Sequence, residues 1–232
     1  MMNVHKKWSS IVAVMLLGVM LAFVPVGAEE EEEIPDDWEA LDLDLPDPSY
    51  MGTPLNYWSE HLEITFSRRE EFKAPPGTTN VALEKPVEAS ARPTTGRLEW
   101  VTNGDKSAAD DNYVELPEGL QYVQIDLEDV YDLQAILVWR YHLEERVYFD
   151  AIVQIADDPD FTENVVTLFN NDHDNSSGLG VGEDPEYIEN YEGRLINARG
   201  HQARYVRLYS NGNTTDDRNH FLEVEVWALP VD

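Results

Sequence analysis

Nine consecutive residues, Asn170-Asn171-Asp172-His173-Asp174-Asn175-Ser176-Ser177-Gly178, place hard oxygen donors at alternate positions. Asp172, Asp174 and Ser176, with Glu183 eleven residues after Asp172, have the spacing of a calcium-binding loop. Ca2+ takes about six to eight such oxygens, drawn from carboxylates, carbonyls and hydroxyls. The glycine expected at the sixth position is Ser177 here, and no helical pattern flanks the loop. The same residue types also bond their own backbone as Asx turns between strands, so a cation loop and a plain connection both stay open. His173 has no second histidine spaced to join it around a transition metal.

A second group of residues suits sugar chemistry. Trp139, Arg140, Tyr141 and His142 end one apolar run, and Asn211, Asn213, Asn219 and His220 precede the last one. Saccharides present apolar faces and polar rims. An aromatic platform with Arg, His and Asn around it matches both, and Asn170 and His173 extend that set. Each residue also has a structural use, Trp139 in the core and Arg140 beside acids. Catalytic signatures are missing from the chain: it has no Gly-x-Ser-x-Gly elbow, no His-Glu-x-x-His, no phosphate-binding glycine loop and no cysteine. Carboxylate pairs are too numerous to single out a glycosidase pair. The expectation is a protein that is not an enzyme.

The elements that must position these residues are strands. From Val81 onward the apolar pattern has period two, as in Val123, Ile125 and Leu127, and again in Leu222, Val224 and Val226. Leu133 to Tyr141 is apolar on both faces, which suggests a central strand. Turn signals at Asp157-Asp158-Pro159-Asp160, at the glycine-rich stretch ending at Gly182 and at Asn211-Gly212-Asn213 separate the runs. Many short strands without helices predict an all-β sandwich or barrel over residues 79–230.

Upstream, residues 1–28 read as a secretory signal peptide. His5, Lys6 and Lys7 precede an apolar run from Ile11 to Val24 and a small-residue site at Val26-Gly27-Ala28. The run is too short for a span, so no membrane insertion is expected after cleavage. Residues 29–78 form an acidic linker. Glu29 to Glu33 and the following aspartates repel one another and predict disorder, whereas the aromatic and aliphatic residues of 50–74 could dock on the domain. The net charge is −30; loss of Lys6 and Lys7 leaves 14 basic against 46 acidic residues, or −32. Such a chain repels nucleic acid and anionic lipid and suits cations, neutral ligands or basic partners. With no cysteine, an exported domain must be held by its core or by metal.

In order along the chain, several segments resemble the discoidin, or coagulation factor type C, domains. Asn80 to Val87 is similar to their opening strand, Asn103-Gly104-Asp105 to their Asp-Gly-Asp turn, and Tyr122 to Leu127 to a signature strand. Ala203 to Leu208 and Leu222 to Val226 are similar to the closing pair. The resemblance implies an eight-stranded antiparallel jelly-roll β-sandwich of the galactose-binding-like type. It further implies a non-catalytic module that binds through loops at one end. The ligand would be a glycan or a cell-surface protein, the latter in adhesion or assembly. It also implies a structural Ca2+, held here by Asn103, Asp105 and Glu223 or Glu225, with Asn103 replacing the usual first aspartate. A secreted, periplasmic or cell-surface location follows from the leader.

Overall fold

The computed structural model of the protein describes residues 34–48, 56–64, 67–108 and 112–231. The expected signal peptide, the start of the acidic linker and residues 49–55 lie outside them. In chain order the strands are β1 (Glu39–Ala40), β2 (Leu62–Glu63), β3 (Lys73–Ala74), β4 (Thr79–Asn80), β5 (Val87–Ala89), β6 (Val114–Leu116) and β7 (Gln121–Trp139). There follow β8 (Ile152–Ala156), β9 (Val166–Asn170), β10 (Glu186–Tyr187), β11 (Arg194–Ser210), β12 (Asn219–Phe221) and β13 (Glu223–Pro230). A single turn of 3-10 helix, Leu98–Thr102, is the one helical element among the described residues. No helix among them is long and apolar enough to cross a membrane.

The framework is one long antiparallel ribbon, in which β7 pairs β11 from Gln121 opposite Ser210 to Val138 opposite Arg194. The register shifts around Asn197–His201 and Ala203–Tyr205, and the backbone enters the left-handed region at Glu128 (φ 70°) and Gly200 (φ 77°). These irregularities bend the ribbon so that its two halves serve different layers. The first half of β7 carries β5 on its free edge, while the second half of β11 carries β8 and then β9. At the other end β13 and β4 extend the sheet beyond β7. Val123, Ile125 and Leu127 from one half, and Ile136, Val138 and Ile196 from the other, meet Val206, Leu208, Val224 and Val226 in one buried cluster. Strands of both halves thus face a common core, and the fold is the all-β antiparallel sandwich expected. Because β7 and β11 run through both layers, the eight strands of the expected jelly roll are divided differently here.

The outer face of the second layer is also apolar. Ala135, Leu137, Trp139 and Leu222 lie on it, and Leu41, Leu43 and Phe72 cover it. The sequence expectation for residues 29–49 is a disordered tether, but of its described residues, 35–48 are laid against the sheet. β1 pairs antiparallel with β3, and Leu41 N–H donates to the Phe72 carbonyl at 3.0 Å. The Arg199 guanidinium stacks between Trp38 and Phe72, 4.8 and 4.0 Å from their ring centres. The physical reason is alternation within the acidic run: Leu41 and Leu43 turn inward while Asp42 and Asp44 stay in solvent. Replacing both leucines with serine would uncover Leu137 and Trp139. We expect the variant to lose about 2–3 kcal/mol and to melt several degrees lower. Equal melting curves would show that the strap contributes nothing to the fold.

Candidate functional site

Three loops meet at one end of the sandwich: 140–151 between β7 and β8, 171–185 between β9 and β10, and 211–218 between β11 and β12. Their backbones are bonded to one another. Asn211 N–H donates to the Phe149 carbonyl (2.8 Å), Phe149 N–H to the Gly212 carbonyl (3.1 Å) and Thr214 N–H to the Val147 carbonyl (3.0 Å). The buried Asn171 side chain ties in the third loop, accepting from Ala151 N–H at 2.7 Å. Loop 171–185 closes on itself through Gly182, whose N–H donates to the Asp172 carbonyl at 2.7 Å. A Cβ at Gly182 would lie 2.1 Å from the Asn170 carbonyl oxygen, so only glycine allows this closure.

This framework gathers three carboxylates. Oxygens of Asp150, Asp172 and Asp174 lie within 4.8 Å of one another, Asp150 and Asp172 buried and Asp174 exposed. Asp150 adopts a left-handed backbone (φ 48°), which aspartate tolerates better than most residues. Its carboxylate accepts from Ser176 Oγ (2.9 Å) and Asn211 Nδ2 (2.8 Å). Burial pushes the Asp150 pKa up, with further push from Asp172 and Asp174, against the pull of the Asn211 and Ser176 bonds. Burial also opposes ionisation of Asp172, yet bonds from the Ser177 hydroxyl and N–H and from Ser176 N–H hold its pKa below the ordinary value. Of the expected loop ligands, Asp172, Asp174 and Ser176 are therefore together. Glu183 is exposed outside this triad, and Asp150 from another loop takes the third place.

Most of the residues expected to touch a sugar are interior. Trp139 is fully buried, its Nε1–H donating to the Tyr191 carbonyl at 3.0 Å. Gly193 lies against its indole so closely that a Cβ would come within 2.6 Å. His142 is buried with Nε2 2.9 Å from the Lys106 carbonyl. Asn219 makes four bonds, accepting from Ser210 Oγ and Gly212 N–H and donating to the Pro117 and Gly119 carbonyls. Asn213 caps its own loop through Asp216, Thr215 and the Arg218 carbonyl. Asn170 accepts from Asp172 N–H and donates to the Gly180 carbonyl. His220 is buried between Tyr148 Oη (3.0 Å) and Glu115 Oε2 (3.4 Å). Burial and the neighbouring Arg146 lower its pKa, against the pull of Asp216 and Glu115. Arg140 is buried against the rings of Tyr148 and Phe221 and donates to the Tyr209 carbonyl at 2.9 Å. Its Nε stands 3.7 Å from Glu189 Oε1, and its Nε and Nη1 and both Glu189 oxygens have no hydrogen-bond partner. These groups hold the loops in place and leave Asn211 and His173 nearest the carboxylates.

The edge expected to hold calcium has a mixed answer. Glu223 is completely buried beside the Asn103-Gly104-Asp105 turn, with Gly104 N–H donating to its Oε2 at 3.0 Å. Its Oε1 has no partner, and burial, aided by Glu225, raises its pKa to about 9. An unpartnered buried carboxylate oxygen next to a turn rich in oxygen is the setting a hard cation fits. Asn103 and Asp105 are exposed, each bonding a backbone N–H two residues on. Glu225 does not fit: its Oε1 pairs with buried Lys106 at 2.7 Å and its Oε2 accepts from Trp227 Nε1 at 2.9 Å. The Lys106 ammonium, which also donates to the Asp44 carbonyl, already supplies that carboxylate's cation.

Sequence reasoning missed Asp150 and Glu189, whereas the docking expected of residues 50–74 is seen at Tyr57, His61 and β2. Asp150 is one acid among 46 Asp and Glu residues, and nothing local marks it. The partner that His173 lacks in sequence spacing is His61, whose ring stacks on it at 3.7 Å and 18°. Stacked imidazoles direct their nitrogen lone pairs in parallel planes, so the two rings do not converge on one metal.

No protein-family model and no curated protein matches the chain. Solved structures do resemble it. A Clostridium perfringens CBM32 module in complex with GlcNAc-alpha-1,4-galactose is 16% identical with a TM-score of 0.49, over 67% of this chain and 97% of that one. A Streptococcus pneumoniae fucose binding module is 16% identical with a TM-score of 0.48, over 66% and 99%. A fucolectin from Morone saxatilis serum is 15% identical with a TM-score of 0.47, over 70% and 51%.

The Arg140–Glu189 pair gives a pH signature. Burial raises the Glu189 pKa to about 7, with Arg140 pulling the other way. A carboxyl whose folded pKa lies above its unfolded value stabilises the fold fully below the unfolded pKa, near 4.5, and loses that contribution as pH rises to about 7. Glu189→Gln cannot titrate. The stability difference between variant and wild type should therefore move in the variant's favour by roughly 3 kcal/mol between pH 4.5 and 7. Urea denaturation across that range measures it, and parallel pH curves would contradict the assignment.

Proposed function

We propose that this protein is an extracytoplasmic, non-catalytic module that binds a neutral carbohydrate through the loops at one end of its sandwich. The observation that supports this reading is the Asp150–Asp172–Asp174 cluster, set on two bonded loops, with Asn211 of the third loop beside it. Asp150 and Asp172 have donors within the loops, and the exposed Asp174 is the acceptor left open to a ligand. A sugar presents adjacent hydroxyl donors without adding charge, whereas an anionic ligand would be repelled by a chain of net charge −30. The loops are fixed before any ligand arrives, which lowers the ordering cost of binding.

A calcium ion at the other edge belongs to the same reading as a structural element. Glu223 Oε1, with oxygens of the Asn103–Asp105 turn, would hold it, and its charge would neutralise a carboxylate that is otherwise buried alone. It would stabilise the sandwich and take no part in ligand chemistry.

Both halves of the proposal are measurable. Migration through native gels cast with neutral polysaccharides, calcium present, should be retarded by at least one of them. Asp174→Ala, which removes an exposed carboxylate and its one bond from Ser176 N–H, should reduce that retardation about tenfold, the effect of losing roughly 1.4 kcal/mol. If no neutral polysaccharide slows the wild type, the carbohydrate reading is wrong. For the ion, millimolar Ca2+ should raise the melting temperature relative to chelator, by an amount set by mass action. Glu223→Gln should abolish the rise; an identical midpoint with and without Ca2+ in the wild type would exclude the site.

A further inference from the structure

Residues 56–64 precede the sandwich in sequence, yet they are fastened to its loop end on both sides of Trp58. On one side the Tyr57 hydroxyl donates to Glu186 Oε2 at 2.7 Å, and its ring meets Phe149 at 5.6 Å. On the other, His61 stacks on His173, and its carbonyl accepts from Glu186 N–H at 3.1 Å. β2 then pairs in parallel with β10, Leu62 opposite Glu186, and Arg194 bonds Glu63 at 2.6 Å. Between these anchors Trp58 is 81% exposed, the most exposed large apolar side chain described.

An exposed tryptophan on a loose linker says little, but this one is on a pinned stretch. Its neighbours one residue before and three after are both anchored, so the backbone entropy that a ligand would otherwise have to remove is already lost. The anchors also locate it. Phe149, under Tyr57, is the residue before Asp150, and His173, under His61, lies between Asp172 and Asp174. Trp58 therefore belongs to a stretch that is in contact, on both sides of it, with residues adjoining the carboxylate cluster.

We propose that Trp58 is the aromatic platform of the carbohydrate site, donated by the segment before the sandwich, and that its ligand is a neutral pyranoside with an exposed C–H face. The inference rests on the carbohydrate reading above and adds to it the platform and the sugar class. An indole face packs against the axial C–H face of one sugar ring while that ring's hydroxyls turn outward toward acceptors, here Asp174 and its neighbours. A protein partner fits less well. The residues flanking Trp58, Asn56, Ser59 and Glu60, are polar, whereas a protein interface needs on the order of 1,000 Å² of continuous surface. An anionic sugar is disfavoured by Glu60, Asp174 and Glu183, all exposed on this segment and the loop it contacts.

The test compares wild type, Trp58→Ala and Trp58→Phe in affinity gels cast with galactan, galactomannan, xyloglucan or alginate, with tryptophan fluorescence recorded on the same polysaccharides. Because Trp58 packs against nothing in the core, all three proteins should melt together. We expect retardation by a neutral polysaccharide to fall at least tenfold in Trp58→Ala and to stay within about threefold in Trp58→Phe. Ligand should shift the emission of the wild type but not of Trp58→Phe, which keeps the platform and loses the reporter. Retardation of Trp58→Ala equal to wild type would overturn the platform while leaving the carbohydrate reading intact. Retardation by alginate alone would overturn the neutral-sugar class. A wild type that no polysaccharide slows would overturn both this inference and the reading on which it rests.

Discussion

The pairing of β7 with β11 is the constraint on which the other elements depend. Both strands remain hydrogen-bonded through a bend, so the inward faces of their two halves are turned toward each other and a single cluster is buried between them. The register at one end of the ribbon then decides where the loops emerge. Tyr209 opposite Tyr122 and opposite Ile152 puts the end of loop 140–151 and the start of loop 211–218 at the same end. A slip of one residue would exchange the core and solvent faces of the ribbon and separate those loops. The bend is permitted by local chemistry: Gly200 meets the left-handed conformation without steric cost, and Glu128 is steadied there by its N–H bond to the Asp126 carboxylate.

The second constraint is charge. With 46 acidic residues, most carboxylates must remain in water, and the few that are buried are each given a specific answer. Glu225 has Lys106 and the Trp227 indole, Glu189 has Arg140 at a longer distance, and Glu223 has one backbone N–H and an unfilled oxygen. The scarce cations are spent inside for this purpose. Lys106 also packs over the Trp139 ring and bonds the Asp44 carbonyl, so it joins the strap over residues 35–48 to the outer layer. A buried charge with incomplete partners costs several kcal/mol, and the raised pKa values of Glu189 and Glu223 are the same cost expressed as proton affinity.

The architecture could be read from the sequence because it rests on a repeating signal. Val123, Ile125 and Leu127 alternate whatever their partners are, and Leu133 to Trp139 is apolar on both sides because one face meets the core and the other meets the strap. The strap itself was visible only as Leu41 and Leu43 within an acidic run, and mean composition outweighed that two-residue alternation. The site was less legible for a different reason. Residue type says what Asn219, His142 or Arg140 can bond, but not whether neighbours already satisfy them. For Asn219 the answer lies in Ser210, Gly212, Pro117 and Gly119, none predictable from local spacing. The same holds for His61 and His173, which are 112 positions apart and in ring contact.

That distinction separates framework from function among chemically similar residues. Polar side chains that stabilise a fold are those whose bonds close within it, as Asn171, Asn213 and His220 do. Their removal leaves neighbours unsatisfied at the cost of about 1–3 kcal/mol each. Groups available to a ligand are those which the framework positions but does not complete. Asp174 accepts one backbone N–H and is otherwise exposed beside Asp150 and Asp172, and Trp58, also exposed, is held in place through the contacts of its neighbours. The two belong to segments more than a hundred residues apart, joined through Tyr57 and His61. An unmet acceptor and an uncovered ring on the same rigid end are what a binding surface must offer before its ligand arrives, and the buried network beneath them keeps both in register.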